Sequence, residues 1–308
     1  YPASSRHEYK TGGFRSPGGT LLGRAALSLA MLPPIARRFV AGESPATAMD
    51  HARRLNDDGV GAILNLLGEH YDTRPPADAD TDAYCRLLGE LGASDLDACI
   101  SVKPSQLGLD VELGVFRENL ERIVEAAADS GAFVWMDMED HTTTDATLEA
   151  FVAQAETYPR MGLCLQANLK RTAADIERLA DVPGKIRLVK GAYDEPPEIA
   201  YTDKPRVNEA YREYLELAFR EFDRGVAVGS HDPEMIAHAA DLHAEYGTPY
   251  EVQMLMGVRE DAQRELADDG VTVYQYVPYG DRWLSYFYRR LMERKENALF
   301  AVRAILTG

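Results

Sequence analysis

Eight short runs rich in apolar and β-branched residues recur along the chain, each separated from the next by an amphipathic stretch. They are "VGAILNLLG" (60–68), "ACISVKP" (98–104), "AFVWMDM" (132–138), "MGLCLQA" (161–167), "KIRLVKGA" (185–192), "VAVGS" (226–230), "YEVQML" (250–255) and "VTVYQYVP" (271–278). Runs of this length that are nearly continuous in apolar residues suit strands buried on both faces, as in a parallel sheet covered by helices. The stretches between them carry helical patterning and stop signals. "VFRENLERIVEAAADSG" closes at Gly131, and "NEAYREYLELAFREFDRG" is read as closing at Gly225. Eight β-runs alternating with helices predict an α/β fold of the closed (β/α)8 type, with N-terminal helices before it and a C-terminal helix over its mouth. A doubly wound open sheet is the competing architecture, and the count of eight favours closure. No GxGxxG follows any run, so a Rossmann site has no support.

The expected organisation is a flexible segment at 1–20 followed by one domain over 21–308, with the barrel at about 60–300. The stretch "LLGRAALSLAMLPPIARRFV" is interrupted by Arg24 and by Pro33 and Pro34, so it reads as a packing helix rather than a membrane span or signal peptide.

In a closed barrel of this kind, chemistry gathers where the strands end and the βα loops begin. The runs end on Glu69, Lys103, Asp137 with Glu139 and Asp140, Gln166, Arg187 with Lys190, Ser230 with His231, Gln253 and Tyr276. Any one of these alone reads more readily as a cap or a solvated loop residue. Eight coinciding predict a polar mouth.

Charge limits what that mouth meets. Against 50 acidic residues stand 33 basic ones, of which seven are lysine, for a net charge of −17. Such a surface repels nucleic acid and anionic membrane, and no stable membrane insertion is expected. Abundant acid with scarce lysine is the composition expected of a salt-adapted protein, whose self-repulsion is screened. Cys85, Cys99 and Cys164 are too scattered for a disulfide framework and show no metal-ligand spacing, which fits free thiols in a reducing cytoplasm.

Two local patterns narrow the chemistry further. In "RLVKGAYDEPP" Lys190 invites a Schiff-base lyase reading, while Asp194 and Glu195 offer it a plain ion pair. Gly191 and Ala192 remove bulk where backbone approaches a phosphate or a flat ring system. That favours a large planar ligand over an aldolase-like lysine. Arg187, within an apolar strand, must be paired or meet an electron-rich ligand, and the edge of a flavin would serve. The second pattern is "YVPYGDRWLSYFYRRLMERKEN". A helix from near Asp281 would place Trp283, Leu284, Phe287, Leu291 and Met292 on one apolar face, with Arg289 and Arg290 beside it and Glu293 one turn on. The pair could form an ordinary surface ion pair with Glu293. Near a barrel mouth, adjacent guanidinium groups form a carboxylate receptor.

Taken together, "LNLLGE", "ISVKPSQLGLD", "MDMED", "LQAN", "RLVKGAY", "GSHD", "VQMLMG" and "YVPYG…YFYRRLMERKEN" resemble the proline dehydrogenase family, in the family's order from about residue 60 to 300. "RLVKGAY" and the terminal arginine pair are the specific pieces. The length resembles the monofunctional form. The resemblance implies a flavin-dependent (β/α)8 enzyme that oxidises L-proline to Δ1-pyrroline-5-carboxylate by hydride transfer from C5 to flavin N5, with FAD bound non-covalently. It further implies a quinone or other electron acceptor, met transiently at a membrane, and leaves the oligomeric state open. By the same resemblance Arg289 and Arg290 grip the substrate carboxylate, Tyr276 and Leu255 pack on its ring, and Lys103 lies in the pocket, paired with Glu293. Asp137 matches the active-site aspartate, and Arg187 lies against the flavin near N5. Gln166 lies near the pyrimidine edge of the flavin. Met138, Lys190, Gly191, Ala192, Ser230, His231 and Gln253 match cofactor contacts. Ser230 and Asp232 stand where "THN" is common in the family, which puts details of the adenosine contacts in question.

Overall fold

The computed structural model describes residues 36–284, 286 and 287. Its eight strands are β1 Gly61–Leu66, β2 Ala98–Val102, β3 Val134–Met136, β4 Met161–Gln166, β5 Lys185–Val189, β6 Val226–Gly229, β7 Tyr250–Leu255 and β8 Val273–Tyr279. All neighbouring pairs are parallel, and β8 returns to β1 to close the barrel. Each expected run contains its strand, trimmed by up to three residues at either end where the chain turns into a loop; β8 alone runs past its expected end, by one residue.

Eight α-helices are described: α1 Pro45–Asp57, α2 Arg74–Gly92, α3 Leu113–Ser130, α4 Thr144–Ala155, α5 Thr172–Leu179, α6 Lys204–Glu221, α7 Pro233–Tyr246 and α8 Glu260–Asp268. Local chemistry sets their ends. Ser44 and Thr47 form a reciprocal cap on α1, with Pro45 in the first turn. Asp203 and Asp232 accept backbone N–H bonds at the starts of α6 and α7. Gly131 closes α3 in the left-handed conformation, as expected. The helix expected to run to Gly225 instead stops at Glu221, because Phe222 leaves helical geometry and buries itself in the core.

Strand alternation sorts side chains between two environments. Ile186, Leu188, Val226 and Val228 point outward into the main core, packed among the helices. Truncating such a side chain, as in Leu188→Ala, costs about 2–5 kcal/mol. Ile63, Cys99, Trp135 and Ala227 form a separate cluster inside the barrel, with Tyr274 and Tyr276 against it. Gly162 makes room for this filling: a Cβ there would lie 2.3 Å from the Trp135 ring. Cys99 and Cys164 are buried free thiols and Cys85 is a half-buried one.

Residues 1–20, and the expected packing helix up to residue 35, lie outside the described residues. Ala36–Arg38 form a single 3₁₀ turn. Of the expected C-terminal helix, only the first residues, up to 284 with 286 and 287, are among those described. There Leu284 is 64% exposed while Tyr286 and Phe287 are buried. The apolar face drawn through Trp283, Leu284 and Phe287 is therefore rotated, with Tyr286 taking the inward place of Leu284. Among the described residues, no helix is long and apolar enough to cross a membrane.

Candidate active site

The carboxyl ends of the strands converge on Asp137, just past β3. Its Oδ1 accepts from the Ser101 hydroxyl at 2.8 Å and from Arg187 Nη2, and its Oδ2 accepts from the Tyr276 hydroxyl at 2.7 Å and from Lys103 Nζ. Four strands thus meet at one carboxylate. Arg187 on β5 reaches past β4 to do this, which only an inward-facing side chain can manage. Its Nη1 donates to Gln253 Oε1 at 3.0 Å, and its Cζ lies 5.0 Å from the Trp135 ring centroid.

The charges here are mutually dependent. Burial pushes the Asp137 carboxyl up, and Lys103 and Arg187 overcome this and hold it well below the usual carboxylate range. Lys103 is raised in turn: burial works against its charge, and Asp137 and Glu139 outweigh burial. Burial likewise opposes the Arg187 charge, and Cys164, Asp137 and Tyr276 more than restore it. Cys164 is itself pushed up by burial and stays a neutral thiol, so Asp137 carries the compensation. Lys103 and Arg187 flank Asp137, with Glu139 also acting on Lys103, and Tyr276 is held protonated well past its usual range through burial.

The second cluster surrounds the end of β5 and the start of α7. Lys190 Nζ donates to Asp232 Oδ2 at 2.7 Å, so its partner is neither Asp194 nor Glu195. Glu195 turns away to bond His141. Ser230 is buried and its hydroxyl accepts from the Asp232 N–H at 3.1 Å. His231 Nε2 meets the Leu255 N–H at 3.4 Å, and Leu255 is half-buried beside Tyr276 in the β7–β8 register. Met138 is buried next to Asp137, while Ala192 is exposed. Gln166 is buried and donates to the Glu139 carbonyl at 2.8 Å. Gly191 has a φ of +104°, and a Cβ there would come within 2.1 Å of Asn168 Oδ1.

Arg289, Arg290 and Glu293 lie outside the described residues. Lys103 is engaged by Asp137, with the Tyr276 hydroxyl 3.4 Å away, and its expected pairing with Glu293 falls outside the described residues. Sequence reading also missed two residues. Ser101 stands two places before Lys103, so strand alternation alone puts both on the inward face. Asn168, in "LQAN", has a buried Oδ1 with no hydrogen-bond partner among the described residues. A buried acceptor without a donor points to a ligand that brings one.

A cavity of about 540 Å³ lies at the opposite, amino-terminal end of the strands, lined by Cys99, Phe133, Lys185, Glu251 and Tyr274 among others. The polar cluster at the carboxyl ends is the better candidate for chemistry, since its groups come from different strands and converge.

The sequence profile of the proline dehydrogenase family matches residues 48–303. Proline dehydrogenase of Deinococcus radiodurans is 36% identical over 286 residues, covering 89% of this chain and 91% of its own. Proline dehydrogenase 1 of Bacillus subtilis is 34% identical over 274 residues, with 88% and 90% covered. Among solved structures, proline utilization A from Bdellovibrio bacteriovorus, inactivated by N-propargylglycine, superposes with a TM-score of 0.77 at 23% identity. Proline utilization A from Corynebacterium freiburgense gives 0.71, also at 23%. These matches cover 84% and 86% of this chain but only 32% and 31% of the longer chains, and they establish a shared fold.

Proposed function

Because the chain belongs to the proline dehydrogenase family, we propose that the cluster around Asp137 is where it oxidises L-proline, as the first step of proline catabolism. FAD is its cofactor, held without a covalent link. The observation that carries this placement is the convergence of Lys103, Arg187, Tyr276 and Ser101 on Asp137 at the carboxyl ends of the strands.

The residues present suit such a cofactor. Gly191 lets the Asn168 side chain pack directly on its backbone, and the unpartnered Oδ1 of Asn168 would take an N–H of the ligand. Lys190, Ser230 and Arg187 offer donors to an anionic or carbonyl-rich partner. We assign Met138, Gln166, Lys190, Gly191, Ala192, Ser230, His231 and Gln253 to holding FAD, with Arg187 against its ring. When bound, FAD supplies the two-electron oxidation that takes L-proline to Δ1-pyrroline-5-carboxylate.

The chain's own residues do the rest. Asp137 stays ionised at neutral pH and acts as a fixed counter-ion, orienting Arg187 and Lys103 rather than taking a proton. Lys103 stays protonated beside it, so the proton released from the substrate nitrogen leaves by another acceptor. The nearby Lys103 and Arg187 charges favour the neutral, reactive form of the proline amine, because an ammonium beside them meets like charge. Tyr276 and Leu255 supply apolar surface for the pyrrolidine ring. Arg289 and Arg290 bind its carboxylate, and Glu293 completes that end of the pocket. The reaction also needs an electron acceptor. A quinone at a membrane surface and a cytoplasmic, salt-adapted setting are our readings of the sequence.

The Schiff-base alternative is not favoured. Lys190 is held by Asp232, whose own carboxyl is pulled down by that bond, and an ion-paired ammonium is a poor nucleophile. The proposal is tested by purifying the protein and recording its visible spectrum, then precipitating it with acid. Yellow colour released into the supernatant, with dye reduction dependent on L-proline, is expected. Colour retained in the pellet would mean a covalent flavin. Trapping of Lys190 by borohydride with substrate would revive the lyase.

A further inference from the structure

A single hydrogen-bonded line of side chains runs along the barrel axis from the basal cavity to the mouth. Lys185 and Arg187 sit two apart on β5, and Glu251 and Gln253 two apart on β7, so both pairs point inward at successive depths. Lys185 Nζ donates to Glu251 Oε2 at 2.9 Å, Gln253 Nε2 donates to Glu251 Oε1 at 2.7 Å, and Arg187 Nη1 donates to Gln253 Oε1 at 3.0 Å. Arg187 then reaches Asp137 through its other nitrogen.

The polarity of this line is not interchangeable. A guanidinium only donates and a carboxylate only accepts, whereas a glutamine amide does one at each end. Between Glu251 and Arg187 the amide of Gln253 therefore fits in one orientation alone, oxygen towards the arginine. Gln253 is 5% exposed and is not part of the basal cavity's lining, so losing its partner leaves a buried amide unsatisfied. We propose that Glu251 is a positioning residue for the oxidation. By fixing the Gln253 amide it fixes one end of the Arg187 guanidinium, while Asp137 fixes the other. This rests on the placement of the reaction given above, and concerns a residue far from the mouth that touches neither substrate nor cofactor.

The test compares Glu251→Gln, which keeps an acceptor for Gln253, with Glu251→Met, which has none. The double variant Lys185→Met/Glu251→Met removes both charges together and guards against misfolding from a stranded lysine. With L-proline and a dye acceptor, we expect Glu251→Gln to stay within about three-fold of wild-type kcat. Glu251→Met and the double variant should lose roughly ten-fold or more in kcat with KM changed less than about three-fold, the signature of an interaction used in the transition state. A second readout needs no flavin. The chain has two tryptophans, and in a Trp283→Phe background the emission of Trp135, against which Arg187 lies, should shift in the flavin-free Met variants and not in Glu251→Gln. A double variant with wild-type kcat and unchanged Trp135 emission overturns the proposal, as does a Glu251→Gln variant that falls as far as the double. If the emission shifts as expected but wild type neither binds flavin nor oxidises proline, the positioning stands and the placement of the reaction fails.

Discussion

Arg187 on β5 and Asp137 at the end of β3 are joined across the barrel interior, past the intervening strand β4, with Lys103 on the carboxylate's other oxygen. Two cations on one buried anion make that anion structural as well as functional. Asp137→Ala should cost on the order of 3–5 kcal/mol, because it leaves two charges without their partner. The pH dependence has a definite sign. The folded value of Asp137 is depressed below the unfolded one of about 3.9, so its contribution is present above that pH and is lost as pH falls towards the folded value. Denaturant unfolding of wild type and Asp137→Asn should show a gap that narrows below about pH 4. A gap that widens on acidification would contradict the pairing.

Asp80 behaves in the opposite sense. Burial pushes it up to about 6, although it accepts bonds from Tyr71 and Gln106 and lies 3.3 Å from Arg282, whose exposed guanidinium is screened by solvent. The folded state then binds a proton more readily than the unfolded chain. Its contribution to stability should fall as pH rises from about 4 to about 6 and stay level above that. Asp80→Asn should remove this slope, worth on the order of 3 kcal/mol, and be more stable than wild type at pH 8. Equal slopes in both proteins would show that Asp80 titrates normally.

The barrel was legible because eight buried strands must be apolar on both faces, and that leaves a pattern no other part of the chain repeats. Lys103, Asp137, Arg187 and Tyr276 were legible because a charge or phenol in such a strand has to answer to something. Their pairing was not. Which cation meets Asp137 depends on strand tilt and depth across the barrel, and proximity in sequence wrongly offered Asp194 and Glu195 to Lys190. Ser101 was legible from alternation, two places before Lys103, and was passed over; Glu251, a lone polar residue near the start of β7, carries no signal until its partner across the barrel is known. The end of α6 was misplaced because Gly225 looks like a stop, while Phe222 leaves the helix earlier to reach the core.

Salt should strengthen this chain. At a net charge of −17 the folded state repels itself, and screening shortens to roughly 3 Å at 1 M salt. Melting temperature and activity should rise from dilute buffer towards molar salt. A flat or falling melting temperature would reject salt adaptation.

Arg289 and Arg290 carry the expected recognition of the substrate carboxylate. Arg289→Met or Arg290→Met should reduce kcat/KM for proline by about 30- to 1,000-fold, equivalent to roughly 2–4 kcal/mol, while leaving flavin content unchanged. Lysine should rescue poorly, lacking the planar fork. Arg294→Met is the control and should be nearly silent. Losses under about 1 kcal/mol in both variants would make the pair an ordinary surface feature.

The central claim, a flavin reduced by proline at the carboxyl end of this barrel, is tested most directly by adding L-proline to the purified protein without oxygen while following its visible absorbance. The account predicts that the bands of oxidised flavin bleach with proline, and that Arg187→Met, Asp137→Asn and Lys103→Met each slow the bleaching without removing the cofactor. A colourless protein that takes up no FAD, or a flavin that proline leaves oxidised, would contradict it.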